Sequence, residues 1–73
     1  MTKEGDVIIQ RLTSLYRVWV VTSDGSREPD PNVQTLTFTG REAAEGYARN
    51  WTNETKGRIL VIGLDGNLAE VPN

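Results

Sequence analysis

The stretch Phe38–Leu64, FTGREAAEGYARNWTNETKGRILVIGL, decides the fold. It begins with the pattern of an amphipathic helix, passes through a Lys-Gly pair and ends in an apolar run typical of a strand. Apolar side chains recur along one stripe of the helical part. They are Ala43, Ala44, Tyr47, Ala48 and Trp51. The spacing predicts a helix over about residues 40–55, with this stripe, Trp51 included, packed on a core.

Both ends of this helix carry sequence signals. Thr39, with Glu42 three residues later, fits a capping box in which each side chain accepts from a backbone N–H of the first turn. Phe38, one place earlier, is expected to staple onto Ala43. At the other end, Lys56-Gly57 supplies a cation for the last turn and a glycine for a left-handed stop.

Five further segments have strand patterns, three before the helix and two after it. They are Asp6–Leu12, Leu15–Thr22, Val33–Phe38, Arg58–Leu64 and Leu68–Val71. The order β-β-β-α-β-β predicts one α+β domain over residues 1–73. We expect an antiparallel sheet of four to five strands with one helix packed on one face, a frayed N-terminus at 1–5 and a flexible loop at 23–32.

Composition limits the chemistry. The chain has 73 residues, no cysteine, no histidine and a net charge of −2. It therefore lacks a thiolate nucleophile, the usual general base and the commonest metal ligands, and we predict a protein that is not an enzyme and carries no cofactor. There is no apolar run of about 18 residues and no apolar signal-peptide segment, so we expect a soluble cytoplasmic protein with no membrane partner.

The sheet is apolar on both sides, although one helix covers only one of them. Residues of the second and fourth strands remain apolar on whichever side the helix leaves open. Such a patch is an expected association site in so small a domain. We predict a homodimer, or a complex with another protein, through an open apolar sheet face that carries Arg17, Trp19, Val21, Ile59 and Val61. The alternative is that scattered exposed apolar residues are normal and need no partner.

Two other functions remain open. Arg17 and Trp19 share a face, and Arg11 lies on the neighbouring strand, so the trio would suit stacking and clamping of single-stranded nucleic acid. The acidic net charge disfavours this alternative. An enzyme would have to use carboxylates of the 23–32 loop, which are Asp24, Glu28 and Asp30. Their spacing matches no calcium loop, so we predict no metal site there.

Three motifs together resemble a known family. They are Tyr16-Arg17-Val18-Trp19-Val20, Thr39-Gly40-Arg41-Glu42-Ala43-Ala44 with Ala48 a turn later, and Gly57-Arg58-Ile59-Leu60-Val61-Ile62 leading to Asp65-Gly66-Asn67-Leu68. Over Asp6–Glu70 the chain resembles the small bacterial domains of domain-of-unknown-function family 2188. It departs from them in its longer, proline-bearing loop at 23–32 and in lacking basic residues around the last turn. The resemblance implies a strand-rich sheet with one helix and a bacterial or phage origin. It implies no activity and no site residues.

Overall fold

The computed structural model describes residues 2–22 and 35–71. Its elements are β1 Val7–Arg11, β2 Tyr16–Val20, β3 Leu36–Phe38, α1 Arg41–Thr55, β4 Ile59–Ile62 and β5 Leu68–Val71. The five strands form one sheet in the order β3-β2-β1-β4-β5, and α1 packs on one face of it. The predicted α+β class and element order are confirmed. The predicted loop at 23–32 and the first two residues of the predicted third strand lie outside the described residues.

The central strand pair differs from the prediction. Three pairings are antiparallel as expected, but β1 and β4 are parallel, with Ile8 opposite Leu60. The reason is the connection. β3 runs in the direction of β1, and α1 carries the chain back along the sheet before β4 begins. A strand reached by such a helical crossover enters parallel to the one it joins.

The helix buries a narrower stripe than its sequence predicts. Ala44, Ala48 and Thr52, spaced four apart, are buried against the sheet, whereas Ala43 is exposed. Trp51 is 37% exposed, so the prediction that it packs in the core is wrong. Alanine side chains let the helix lie close to the strands, which leaves room for the larger rings only beside it. Tyr47 occupies this flank, with its ring 6.4 Å from that of Trp51.

Neither helix end follows the predicted capping. Gly40 is the N-cap in an extended conformation, and no side chain caps it, so the Thr39 capping box does not form. At the C-terminus it is Lys56 that adopts the left-handed conformation, with φ of 60°. Gly57 meets a different demand: a Cβ there would lie 2.1 Å from the carbonyl oxygen of Gly5. The glycine is required by a close backbone approach, and the left-handed turn falls one residue earlier.

Residues 3–5, part of the segment predicted to be frayed, are hydrogen-bonded to other parts of the chain. The Lys3 N–H donates to the Asp6 carboxylate at 3.0 Å, and the Gly5 N–H donates to the Val21 carbonyl at 3.1 Å. The Thr55 hydroxyl donates to the Gly5 carbonyl at 2.6 Å, which ties this segment to the end of the helix. These bonds also bring the starts of β1 and β4 together. In the described part of the chain, no helix is long and apolar enough to cross a membrane.

Candidate functional site

The sheet face opposite α1, called here the second face, holds the predicted site. Strand register arranges its side chains in rows across the strands. The central row consists of Trp19, Ile8, Leu60 and Glu70. The row toward the β4–β5 turn consists of Arg17, Gln10, Ile62 and Leu68. The third row, level with the starts of β1 and β4, consists of Val21, Asp6 and Arg58. Arg17, Trp19 and Val21 therefore lie on the face where the sequence predicted them.

Ile59 and Val61 lie on the other face, and their predicted place beside Trp19 is wrong. Ile59 is fully buried in the cluster that packs under α1, and Val61 contacts the same cluster. Leu60 and Ile62 take their places on the second face. The run Ile59–Ile62 is apolar at every position, so nothing in its sequence indicates which alternate pair faces the helix.

The centre of the second face is closed, contrary to the predicted open apolar surface. Ile8 is 0% exposed, Trp19 and Val21 are each 2% exposed, and Leu60 is 3% exposed. These four form a second hydrophobic cluster without any contribution from α1. A single chain thus buries residues that the sequence argument expected a partner to cover.

Apolar surface remains accessible at the β4–β5 end of this face. Ile62 and Leu68 pack against the second cluster but are only partly buried. Leu64, in the turn that follows β4, is 63% exposed. We call these three residues the hairpin margin. Ile62 and Leu68 join the margin to the buried cluster, and Leu64 lies beyond them in the turn at the end of the β4–β5 pair.

The Arg17 guanidinium packs over the Trp19 ring on the second face. The Arg17 guanidinium carbon lies 5.6 Å from the centroid of the Trp19 ring, and its Nη1 donates to Gln10 Oε1 at 3.3 Å. The Trp19 indole Nε1 is buried and has no acceptor among the residues that the structure describes. A buried donor left unpaired costs about 1–3 kcal/mol. Because the indole N–H is buried, the Arg17 guanidinium is the donor of this pair that can reach solvent.

The trio proposed for nucleic acid is not assembled. Arg11 lies opposite Tyr16, which packs against the cluster under α1, so Arg11 belongs to the helix side of the sheet. Base stacking needs an accessible ring face, and Trp19 is 2% exposed. Only Arg17 keeps the position that this hypothesis requires.

A charged cluster closes the strand-start end of the second face. The Asp6 side chain, 4% exposed, accepts from the Arg58 Nη2 at 2.9 Å and from the backbone N–H groups of Arg58 at 2.9 Å and Lys3 at 3.0 Å. Arg58 also reaches Glu70 at 3.6 Å. Burial raises the pKa of the Asp6 carboxyl, but the hydrogen bonds from Arg58 and Lys3 outweigh it and hold that pKa below its ordinary value of 3.8. Asp6 in turn raises the pKa of Arg58.

The described residues offer no assembled metal site. Across 2–22 and 35–71 no three acidic, cysteine or histidine side chains stand close enough to hold an ion. The loop carboxylates Asp24, Glu28 and Asp30 lie outside the described residues, so the hypothesis of an enzyme that uses them stays a prediction.

Comparisons with protein families, with curated proteins and with solved structures find no match. The resemblance to family 2188 therefore stays a prediction, carried by the three motifs alone.

Sequence reasoning missed the charged cluster and the hairpin margin. One signal for the cluster was present: Asp6 and Arg58 each stand immediately before an apolar run. Opposite charges at equivalent starts of two strands suggest that the strands lie side by side and parallel. The margin carried no such signal, because it depends on which alternate residues of β4 face the helix.

Proposed function

We propose that this protein is a non-enzymatic interaction module that self-associates as a homodimer through the hairpin margin of its second face. One observation carries the proposal. The second face is sealed at its centre, yet its apolar surface continues to the β4–β5 rim, where Leu64 is 63% exposed and Leu68 is only partly buried. The interface thus lies at the rim rather than over Trp19, Ile59 and Val61.

The size of the domain supports association at this rim. A 73-residue chain without disulfides has a small core, and domains of this size commonly gain stability by oligomerising. Fully burying one leucine contributes about 1.5–3 kcal/mol, and a two-fold interface buries each margin residue twice. Burial of the margin on both copies therefore contributes to association, against the loss of translational and rotational freedom on binding.

The test compares two substitutions that add the same charge to the same face. Leu68→Glu places a carboxylate in the hairpin margin, whereas Thr37→Glu places one on β3 at the opposite edge. Thr37 is exposed, so it serves as the matched control. We expect sedimentation velocity to give a dimer for the wild type and Thr37→Glu, and a monomer for Leu68→Glu.

A second margin variant, Leu64→Glu, distinguishes a weakened interface from a loss of folding. Leu64 is exposed, so the substitution leaves the core unchanged, and a weaker dimer in this variant reflects the interface alone. Equal dissociation constants for the wild type and both margin variants would overturn the proposal, as would a dimer lost only in Thr37→Glu.

A further inference from the structure

The β4–β5 turn fixes which backbone groups of β5 face outward. The Gly63 carbonyl accepts from the Gly66 N–H at 3.0 Å, and the Gly63 N–H donates to the Asn67 carbonyl at 3.0 Å. Gly66 has a φ of 84°. This is a three-residue loop with a glycine bulge, and it makes Gly63 and Asn67 a hydrogen-bonded pair of the ladder.

Hydrogen-bonded and non-bonded pairs alternate along an antiparallel ladder. Counting from Gly63 and Asn67, the next bonded pair is Val61 with Ala69. Ala69 therefore turns its N–H and C=O toward β4, whereas Leu68 and Glu70 turn theirs toward the outer edge. Within the described residues no strand pairs with that edge.

We propose that β5 pairs with β5 of a second copy, antiparallel, with the two-fold axis perpendicular to the sheet at Ala69. This proposal rests on the proposed self-association and names its geometry. Leu68 of one copy then lies opposite Glu70 of the other, and each such pair exchanges two backbone hydrogen bonds. The four outward-facing N–H and C=O groups of each edge are all satisfied, and the two sheets become one of ten strands.

The alignment of the two β5 strands is determined by the sheet face on which each side chain lies and by the groups that would meet across the axis. Residues directly opposite each other share a face, so Leu68 must meet a second-face residue of the other copy. Axes at Leu68 and at Glu70 would also satisfy this rule. An axis at Leu68 would pair Glu70 with Gly66, whose N–H already donates to the Gly63 carbonyl within the turn. An axis at Glu70 would set two Glu70 carboxylates directly opposite each other, which is unfavourable. It would also require a donor from Pro72, which has no N–H. Ala69, small and exposed, is the position that allows a close two-fold contact.

The same geometry buries part of the hairpin margin. Leu68 of one copy lies diagonally across from Leu68 of the other, at the spacing of about 7–8 Å over which long side chains still touch. The two second faces become neighbours on one side of the joined sheet. Leu68–Val71 contains no lysine, no proline and no bulge, which are three of the features that keep edge strands from pairing.

Disulfide trapping tests the register directly, because the chain has no cysteine of its own. In the proposed pairing the two Ala69 Cα atoms form a non-bonded pair about 4.5 Å apart, within the range a disulfide spans. The two Glu70 Cα atoms, diagonal to each other like the two Leu68 residues, lie about 7–8 Å apart, beyond that range. The full chain carrying Ala69→Cys or Glu70→Cys is therefore oxidised with copper-phenanthroline at one micromolar-range concentration, and covalent dimer is followed over time on non-reducing gels.

We expect Ala69→Cys to cross-link at least about tenfold faster than Glu70→Cys, with the difference lost in denaturant. Similar rates for the two variants, or a faster rate for Glu70→Cys, would overturn the register. The solution mass of the wild type separates the two proposals. A wild-type dimer with no preference for Ala69→Cys contradicts only the β5 pairing, whereas a wild-type monomer with similar trapping rates contradicts self-association as well.

Discussion

The two faces of the sheet bury similar apolar side chains by different means. Under α1 the buried hydrophobic cluster is entirely aliphatic, and the helix adds two alanines and the uncharged Thr52 to the buried layer. On the second face an equally buried cluster lies beside the Asp6–Arg58 pair, and its Trp19 indole N–H has no acceptor within 2–22 and 35–71. The α1 side is covered by the helix of the same chain. On the second face the apolar side chains are buried at the centre and accessible at the β4–β5 rim. Solvent conditions and partners are therefore expected to act on the second face.

Gly57→Ala is expected to have the largest effect on stability, because Gly57 packs against the Gly5–Asp6 backbone where β1 and β4 begin. A Cβ at residue 57 would lie 2.1 Å from the Gly5 carbonyl oxygen and 2.8 Å from the Asp6 nitrogen. Backbone on both sides must move, so we expect a loss of about 3 kcal/mol in the free energy of unfolding. Urea denaturation measures it.

Gly46→Ala is the matched control. Gly46 lies in α1 and a Cβ there meets nothing within 4 Å, so the substitution should stabilise the protein by about 0.5–1 kcal/mol. Equal effects of the two changes would mean that the junction is not tightly packed.

Asp6→Ala removes the acceptor that orders the strand-start end of the second face. Two backbone N–H groups and the Arg58 guanidinium lose the Asp6 carboxylate as an acceptor. We expect a loss of about 2–3 kcal/mol, less than a fully buried pair would give, because Arg58 is partly exposed. Arg41→Ala, which breaks an exposed pair with Glu45 on α1, should leave stability unchanged in the same assay.

The Asp6 pair also makes stability depend on pH. The pKa of the Asp6 carboxyl is lower in the folded protein than in the unfolded chain. The contribution of Asp6 to the free energy of unfolding is therefore fully present above the ordinary pKa of 3.8. It is lost as the pH falls from there through the folded pKa. Urea midpoints should therefore decrease below about pH 4 in the wild type more steeply than in Asp6→Asn. Parallel pH profiles would show that Asp6 is not ion-paired.

Ala48→Leu tests the closed packing of the helix face. Ala48 is fully buried against the sheet, so a larger side chain must push α1 outward, at a cost of about 1–2 kcal/mol. Ala43→Leu makes the same change five residues earlier at an exposed position and should be close to neutral. Thermal unfolding followed by circular dichroism distinguishes them. A tolerated Ala48→Leu would place the helix farther from the strands than the structure does.

The smallest effect is spectroscopic and concerns the closed centre of the second face. Trp51→Phe leaves Trp19 as the only tryptophan, and Trp19→Phe leaves Trp51. Since Trp19 is 2% exposed and Trp51 is 37% exposed, acrylamide should quench the first variant several-fold less than the second. Similar quenching in the two variants would mean that the second face is open in solution.

The sequence predicts the elements well because their signals are local. The helix is found at Arg41–Thr55 against a predicted range of about 40–55, and β5 begins and ends where expected. The face on which each strand residue lies is predicted less well, because it depends on which alternate residues of the strand point toward the helix. The run Ile59–Ile62 has no polar residue to mark its outward side, and so Ile59 and Val61 were placed on the wrong face.

Tertiary contacts also override local signals at the helix. Gly57 carries the sequence signature of a left-handed stop, but its packing against Gly5 decides its role. Trp51 continues the apolar stripe, yet the close approach of Ala44 and Ala48 leaves no space for a large ring beneath the helix. Such contacts join residues about 50 positions apart, and a local pattern contains no information about them.

The most direct test of self-association is the molar mass of the wild-type protein in solution, measured by light scattering over a dilution series. The account predicts twice the chain mass of 8.1 kDa at micromolar concentration, falling to 8.1 kDa on dilution. A mass of 8.1 kDa throughout the series would contradict it, and the accessible hairpin margin would then be ordinary exposed apolar surface.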